Sequence, residues 1–206
     1  MMRSPSPPRI IVGISGASGV VYGVRLLELL RELEVESHLI ISKSAQVTLA
    51  YETDLKLKDV TDRADQCYRN DDLAACISSG SYRTLGMIVA PCSMKTLAEI
   101  ASANSSSLLT RAADVVLKER KKLVLLARET PLNLAHLRNM LAATEMGAII
   151  APPVPAFYTR PSSLDQMVDH TLGRVLDLFE LDTGRVKRWS GSSRHADSEP
   201  REEKAT

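Results

Sequence analysis

Small and hydroxylated residues follow apolar runs at three places in this chain. The first is the segment GISGASG at 13–19, where glycines allow a sharp turn and a close approach of the backbone to a ligand. The others are Ser42, after HLII, and the segment SMKT at 93–96, after GMIVAPC. A helix that begins after such a turn directs unpaired N–H groups and a partial positive charge toward an anion. The three segments together predict a mononucleotide cradle.

The glycine-rich turn alone does not identify its ligand. Its third glycine, Gly19, falls in a different place from that of the dinucleotide fingerprint GxGxxG. A plain tight turn, in which Ser18 caps the following helix, is the alternative. Cys92, directly before the SMKT segment, is either a nucleophile or a small buried hydrophobe. We favour the buried role, because no histidine lies near it in the pattern.

Basic residues form a second set of side chains that could take part in chemistry. Arg111 and Lys118 are seven residues apart in TRAADVVLKER, which places them two turns apart on one helix face. Arg128 and Glu129 follow the apolar run LVLLA. We interpret these cations as an anion site, with a solvated helix face as the alternative. Glu129 beside them could hold or release a proton for a phosphate leaving group.

Three residues near the C-terminus extend this set. Tyr158 ends the proline-rich segment PPVPAFY, which fixes its direction at little entropic cost. Arg174, flanked by apolar residues in LGRVL, is either a cation whose stem packs along the core or a phosphate ligand. Trp189 is the only tryptophan, and we favour a packing role for it.

The elements that position these residues alternate along the chain. Strands are predicted at 10–14, 38–42, 86–91, 123–127 and 148–151. Amphipathic helices follow them, within 24–33, 45–52, 93–103, 110–120, 134–146 and 164–181. A polar segment, 56–82, interrupts the alternation. The strands are continuously apolar, which is typical of a parallel sheet covered by helices on both faces.

Composition excludes several classes of protein. The chain has 206 residues, 44% of them hydrophobic, and a net charge of +1, which favours one domain at 9–190 and gives no broad field for nucleic acid or membrane. Its three cysteines lack CxxC spacing, so we expect a reduced compartment and no structural metal. No apolar stretch has the length of a signal peptide or membrane span, which predicts a cytoplasmic protein. Residues 1–8 are expected to be flexible, and the charged tail 191–206 to be mobile.

Several long segments, in order, resemble the UbiX/Pad flavin prenyltransferases. They are IVGISGASGVVYGVRLL, YETD, ISSGSYRTLGMIVAPCSMKTLA, LLTRAADVVLKERKKLVLLARETPL and PPVPAFYTRP, within Ile10 to Trp189. The resemblance implies a Rossmann-like (flavodoxin-like) three-layer α/β/α sandwich. It also implies transfer of the dimethylallyl group of dimethylallyl phosphate to N5 and C6 of reduced FMN. The product, prenylated FMN, would serve a partner UbiD-type decarboxylase.

The resemblance also implies the roles of particular residues. Flavin contacts carry over to Gly16, Ala17, Ser18, Ser42, Ser93, Met94, Lys95, Thr96 and Arg128. Donor-phosphate ligands carry over to Lys118, Tyr158 and Arg174, with Arg111 close by, and some come from a neighbouring subunit of a homododecamer. Catalytic roles carry over to Ser18, Glu52, Lys118 and Glu129. No metal is expected, because a monophosphate donor needs no magnesium to bridge a diphosphate.

Two alternatives stay open. One is a flavin-dependent cysteine decarboxylase on the same fold, but ISSGSY stands where those enzymes carry a histidine, and APCSMKTL stands in place of their asparagine-rich motif. The other is an accessory protein that only carries FMN to a partner decarboxylase. A carrier needs no second phosphate site, so Lys118, Glu129, Tyr158 and Arg174 favour catalysis.

Overall fold

The computed structural model of this chain describes residues 7–189. Residues 1–6 and the tail 191–206 lie outside the described residues. The expectations that these termini are flexible therefore concern residues that the structure does not describe. Six parallel strands form one sheet in the order β3-β2-β1-β4-β5-β6. The strands are β1 (Arg9–Ile14), β2 (Glu36–Ile41), β3 (Gln66–Tyr68), β4 (Gly86–Cys92), β5 (Lys122–Ala127) and β6 (Ala148–Ile150).

Helices cover the sheet on both sides. Within the described residues they are α1 (Val20–Glu32), α2 (Lys43–Glu52), α3 (Leu57–Thr61), α4 (Met94–Ala101), α5 (Leu108–Lys118), α6 (Leu134–Glu145) and α7 (Leu164–Asp177). The first three and α7 pack on one face, and α4, α5 and α6 pack on the other. No helix in 7–189 is both long and apolar enough to cross a membrane.

Alternation along the strands divides the apolar side chains between two cores. In β1, Ile10, Val12 and Ile14 pack under α1 and α7, whereas Ile11 packs under α5 on the other face. Because both faces of the strand are buried, the strand is apolar at nearly every position. The predicted three-layer α/β/α sandwich with a parallel sheet is confirmed.

The polar segment 56–82 contains three short elements that the sequence did not predict, one of them a 3₁₀ turn at Cys76–Ser78. Helix α3 has five residues and strand β3 has three. Strand β3 pairs with β2 at the edge of the sheet, and the Tyr68 hydroxyl contacts His38 Nδ1 at 2.9 Å. This pairing depends on a polar contact rather than on an apolar run, so periodicity gives no signal for it.

Element boundaries also differ from prediction, notably those of α7 and β4. Helix α7 ends at Asp177 rather than at Leu181. Strand β4 extends to Cys92 and contains Pro91, beside a shift of register against β5 between Val89 and Cys92. Proline lacks the N–H that a central strand would donate, so the ladder is interrupted at this point.

The order of the strands places a crevice beside β1. Strands β1 and β4 are neighbours, although β2 and β3 come between them in sequence. The chain therefore winds outward in opposite directions from this pair. Doubly wound sheets bind ligands at such a switch point, outside the carboxyl ends of the strands.

Candidate functional site

A cleft of about 470 Å³ opens at the carboxyl edge of the sheet. Four strand ends contribute to it, those of β1, β4, β5 and β6. Its lining consists of Gly16, Ala17, Ser18, Ser93, Met94, Ala127, Arg128, Glu129, Thr130, Pro152, Pro153 and Val154. The structure thus brings together the loop after β1, the start of α4 and the Arg128–Glu129 pair, which the sequence assigned to one site.

The N-terminus of α1 is occupied by a side chain of the protein itself. Glu52, the last residue of α2, accepts hydrogen bonds from the amides of Gly19 at 2.8 Å and Val20 at 3.0 Å. The N-cap position is Gly19, which has a positive φ of 97° and no capping side chain, so Ser18 is not the helix cap. The expectation that this helix start offers unpaired N–H groups to an anion is therefore wrong for these two amides.

The carboxylate of Glu52 is held in its charged form. Burial alone would raise its pKa, but hydrogen bonds from the Ser18 hydroxyl and from the Val20 and Gly19 amides, with the charge of Arg128, outweigh that effect. The pKa of Glu52 consequently lies below its ordinary value. At neutral pH the group is an acceptor of protons and hydrogen bonds.

Ser15 connects the ends of β1 and β4. Its hydroxyl donates to the Pro91 carbonyl at 2.9 Å and accepts from the Ser93 amide at 2.8 Å, and the side chain is buried. The Ser15 amide also donates to Pro91, at 3.1 Å. These bonds replace the ladder that Pro91 interrupts, and they fix the entry into α4.

The starts of α2 and α4 remain open to an anion. Ser42 caps α2 through the Ala45 amide and Ser93 caps α4 through the Thr96 amide, at 3.1 and 3.3 Å. Within the described residues, the amides of Lys43, Ser44, Met94 and Lys95 have no acceptor. Both helix starts line a second cavity, of about 720 Å³, along the same edge. Two helix N-termini in one cavity form an anion-binding cradle.

Gly16 brings the loop after β1 against the start of α2. A Cβ at this position would lie 2.3 Å from the Ser44 hydroxyl oxygen, so only glycine allows the approach. The Ser44 hydroxyl is in turn 3.1 Å from that of Ser42. The flavin contacts implied by the resemblance thus lie along one continuous edge, from Gly16 to Thr96.

Arg128 and Glu129 stand at the end of β5. The Arg128 guanidinium donates from Nη1 to the Ser18 carbonyl at 2.6 Å, and the Arg128 amide donates to the Cys92 carbonyl at 3.1 Å. Glu129 is exposed to the cleft and accepts from the Thr130 amide at 3.0 Å. A cation and a carboxyl group therefore face the same cleft.

Cys92 does not serve the cleft as a nucleophile. Its side chain is fully buried, and burial raises the pKa of the thiol to about 12. A neutral buried thiol packs as a small hydrophobe. The structure agrees with the role that the sequence favoured.

The predicted donor-phosphate ligands do not come together within one chain. Lys118 ends α5 and pairs with Glu119, against Gly80. Arg111 lies in the first half of the same helix and pairs with Asp114 at 2.8 Å. Because α5 runs antiparallel to the strands, Lys118 lies toward the amino edge of the sheet, away from the cleft. Neither cation lines the cleft.

Tyr158 and Arg174 lie on the opposite face of the sheet, with α7. Arg174 is mostly exposed and pairs with Asp177 at 2.8 Å. Tyr158 lies in a short 3₁₀ turn of the proline-rich loop, and its ring meets that of Trp189 edge to face at 5.9 Å. Trp189 is 70% exposed, so it is no buried anchor within one chain.

The sequence missed three residues of this site. Ser15 orients Ser93. Ser44 and Lys43 belong to the open start of α2 and line the second cavity. A hydroxyl buried at a strand end leaves no distinctive sequence signal, because the same residue type is common in turns. Among residues 7–189, no group of three or more histidine, cysteine, aspartate or glutamate side chains could hold a metal ion.

The geometry suits a mononucleotide. Glycine at 16 permits close contact, two open helix starts suit a phosphate, and the cleft at the switch point has room for a planar ring. An open parallel sheet with these features defines a nucleotide-binding protein of the doubly wound α/β class.

Comparison with known proteins narrows this class. The family described as Flavoprotein matches residues 2–176. The chain is 57% identical over 183 residues to a probable UbiX-like flavin prenyltransferase of Bacillus subtilis, covering 89% of this chain and 90% of that protein. The crystal structure of AnUbiX (PadA1) with FMN and dimethylallyl pyrophosphate matches with a TM-score of 0.89 and 52% identity, over 91% of this chain and 100% of that one.

A second solved structure is the dodecameric FMN-dependent UbiX-like decarboxylase of Escherichia coli O157:H7. It matches with a TM-score of 0.86 and 52% identity, over 89% of this chain and 100% of that chain. These similarities extend over nearly all of the described residues. The chain belongs to the UbiX-like flavin prenyltransferases, within the Flavoprotein family.

Proposed function

We propose that this protein joins the dimethylallyl group of dimethylallyl phosphate to reduced FMN and releases prenylated FMN. One observation carries the proposal: an open anion cradle at the starts of α2 and α4 adjoins a cleft that presents Arg128 and Glu129. Such an edge has room for two phosphorylated molecules side by side. The relative AnUbiX, which was crystallised with FMN and dimethylallyl pyrophosphate, supports this interpretation.

FMN would be held along the carboxyl edge of the sheet. Its ligands would be Gly16, Ala17, Ser18, Ser42, Ser93, Met94, Lys95, Thr96 and Arg128. The open amides of α2 and α4 suit its phosphate, because those of α1 are already engaged by Glu52. When bound, the reduced flavin supplies the two ring positions, N5 and C6, that the prenyl group bridges.

Side chains of the protein would stabilise the developing charge and transfer protons. Departure of phosphate from the donor separates charge, so preorganised cations are most effective at that step. Lys118, Arg174 and the Tyr158 hydroxyl would receive the phosphate, with Arg111 nearby. Glu129, exposed in the cleft, would protonate the departing phosphate. Glu52 would hold the Ser18 hydroxyl and accept a proton through it.

The donor site would form only between subunits. Lys118 and Arg174 lie on opposite faces of the sheet in one chain, and neither lines the cleft. A homododecamer, as in the relative from Escherichia coli O157:H7, would bring such residues to a neighbour's cleft. Exposed leucines on α6, Leu134, Leu137 and Leu141, recur at helical spacing and suit burial against another copy.

The reaction would need no metal, because cationic side chains take the role that magnesium has for a diphosphate. The protein would act in the cytoplasm, and a UbiD-type decarboxylase would receive the prenylated FMN. That acceptor would be tested by mixing the two proteins and measuring decarboxylation.

Anaerobic incubation with reduced FMN and dimethylallyl phosphate, followed by mass analysis of the extracted flavin, tests the proposal. We expect a flavin enlarged by one prenyl unit, formed equally in the presence of a chelator. The Glu129→Gln protein should bind FMN and form little product. Binding of FMN without binding of the donor, measured by calorimetry, would favour the carrier alternative. Release of carbon dioxide from a cysteinyl peptide would favour the decarboxylase.

A further inference from the structure

Tyr158, to which the proposed function assigns the donor phosphate, has two polar neighbours in its own chain. Its hydroxyl lies 3.4 Å from His170 Nε2 and 3.5 Å from the Lys187 carbonyl oxygen. The rings of Tyr158 and His170 meet edge to face, with centroids 5.9 Å apart. The histidine has no role in the function described so far.

The position of His170 suits a residue that holds another in place. It is only 8% exposed, within α7, whereas Tyr158 is 49% exposed. Four residues further along α7 is Arg174, one helical turn away on the same side. His170 therefore links the loop that carries Tyr158 to the helix that carries Arg174. A mobile tyrosine would lose more rotamer freedom on binding an anion than a tyrosine that is already held.

One arrangement of protons satisfies both contacts of the Tyr158 hydroxyl. In that arrangement the single tyrosine proton points toward the Lys187 carbonyl oxygen, which only accepts. His170 Nε2 must then be protonated and donate to the tyrosine oxygen. Since the bond to Lys187 is long, at 3.5 Å, an incoming phosphate oxygen can replace that carbonyl at little cost.

We propose that His170 is a positioning residue for the donor phosphate. Its Nε2–H donates to the Tyr158 oxygen and keeps the tyrosine proton available for the phosphate. A histidine protonated only on Nδ1 would instead accept that proton and withdraw it from the ligand. The inference depends on the proposed function in that Tyr158 must contact the donor.

A double-mutant cycle on dimethylallyl phosphate binding tests this role. The dissociation constant is measured by calorimetry on the FMN-loaded protein for the unaltered chain, His170→Phe, Tyr158→Phe and the double variant. We expect His170→Phe to weaken binding roughly three- to tenfold, the range of one hydrogen bond. In the Tyr158→Phe background the same change should have no effect, because the hydroxyl that His170 acts through is absent.

Two further variants separate positioning from support of the fold. His170→Gln keeps an N–H donor and should bind within about twofold of the unaltered protein, and it replaces the phenylalanine variant if that protein fails to fold. Thr171→Val removes a hydroxyl that bonds only to the Met167 carbonyl of the same helix, at 2.8 Å, and should change nothing.

The outcomes distinguish this inference from the proposed function. If the unaltered protein makes prenylated FMN but His170→Phe costs the same in both backgrounds, the positioning role is overturned and the function stands. A loss in His170→Gln as large as that in His170→Phe would overturn it as well. If the unaltered protein does not bind dimethylallyl phosphate, both ideas fall together.

Discussion

Glu52 at the end of α2 places its carboxylate against the amides of Gly19 and Val20, at 2.8 and 3.0 Å, and so closes the start of α1. The negative charge satisfies the partial positive charge of that helix terminus. The neighbouring starts of α2 and α4, where the amides are open, remain accessible to an external phosphate. This carboxylate thus distinguishes the start of α1, which is occupied, from the starts of α2 and α4, which are open.

Loss of the Glu52 charge should lower stability in a pH-dependent way. We expect Glu52→Gln to reduce the free energy of unfolding at pH 7 by about 1 kcal/mol, a modest figure because the carboxylate is exposed. The pKa of Glu52 is lower in the folded protein, so its contribution is present above the unfolded value of about 4.3 and is lost as pH falls through the folded value. Urea denaturation from pH 7 to pH 3 measures the difference between the two proteins.

The same substitution at Glu145, an exposed carboxylate at the end of α6, is the matched control. It should change stability little at any pH in this range. A deficit of Glu52→Gln that persisted unchanged at pH 3 would show that charge is not the cause.

Removal of the Ser15 hydroxyl should weaken both the fold and the flavin site. The partly buried Ser93 amide would lose its acceptor, which costs about 1 kcal/mol. Ser15→Ala should therefore unfold at lower urea and bind FMN less tightly, as measured by flavin fluorescence. Ser102→Ala, whose hydroxyl bonds only to carbonyls of its own helix, should behave like the unaltered protein. Equal FMN affinity in the two variants would contradict this reasoning.

Active sites shared between subunits should permit complementation. Lys118→Ala and Arg174→Ala proteins should each form little prenylated FMN. Mixed oligomers, made by unfolding and refolding the two variants together, should regain part of the activity, since some sites would combine the intact residues. Recovery is measured by mass analysis of the flavin. Mixtures as inactive as their components would place both residues in one site from one chain.

The exposed leucines of α6 give a test of assembly. Leu137→Glu puts a charge among these exposed leucines and should reduce the size of the oligomer measured by light scattering. It should not lower the stability of the single chain, because Leu137 is exposed there. Arg138→Glu introduces the same charge at the next position of the helix, on another face, and serves as control. A Leu137→Glu protein of unchanged size would remove α6 from the interface.

Cys92 should be chemically silent. A buried thiol with a pKa of about 12 carries almost no thiolate at neutral pH. Iodoacetamide should label Cys67 and Cys76, which are exposed, and leave Cys92 unmodified until the protein unfolds. Cys92→Ala should keep activity at a cost of about 1 kcal/mol in stability from lost packing. Loss of prenylation in this variant, with FMN still bound, would restore the nucleophile hypothesis.

Periodicity predicted most of the fold. Strands such as β1 and β5 are apolar and buried after their first residue, so their continuous apolar runs predict their position in the sheet. Strand β3 was not predicted, because it has three residues and is held by the Tyr68–His38 contact. Helix α3 has one buried residue, Val60, which gives no repeating pattern.

The strand-end residues of the site were predictable for the same reason. Residues that follow parallel strands must meet at one edge, so Ser18, Ser93 and Arg128 had to be neighbours once the strands were identified. The contact of Glu52 with α1 joins residues more than thirty positions apart, and nothing local marks it. The separation of Lys118 from Arg174 depends on which face each helix covers, which a helical pattern does not specify.

Each cation assigned to the donor phosphate has an acidic companion on its own helix or next to it: Arg111 with Asp114, Lys118 with Glu119, and Arg174 with Asp177. In a separate chain each of these three cations is therefore already paired with a carboxylate. Exposed ion pairs of this kind contribute little to stability. A phosphate dianion can therefore replace the carboxylates as partner of these cations once neighbouring copies assemble. The assembled oligomer would then bind the prenyl donor, whereas the separate chains would have little affinity for it.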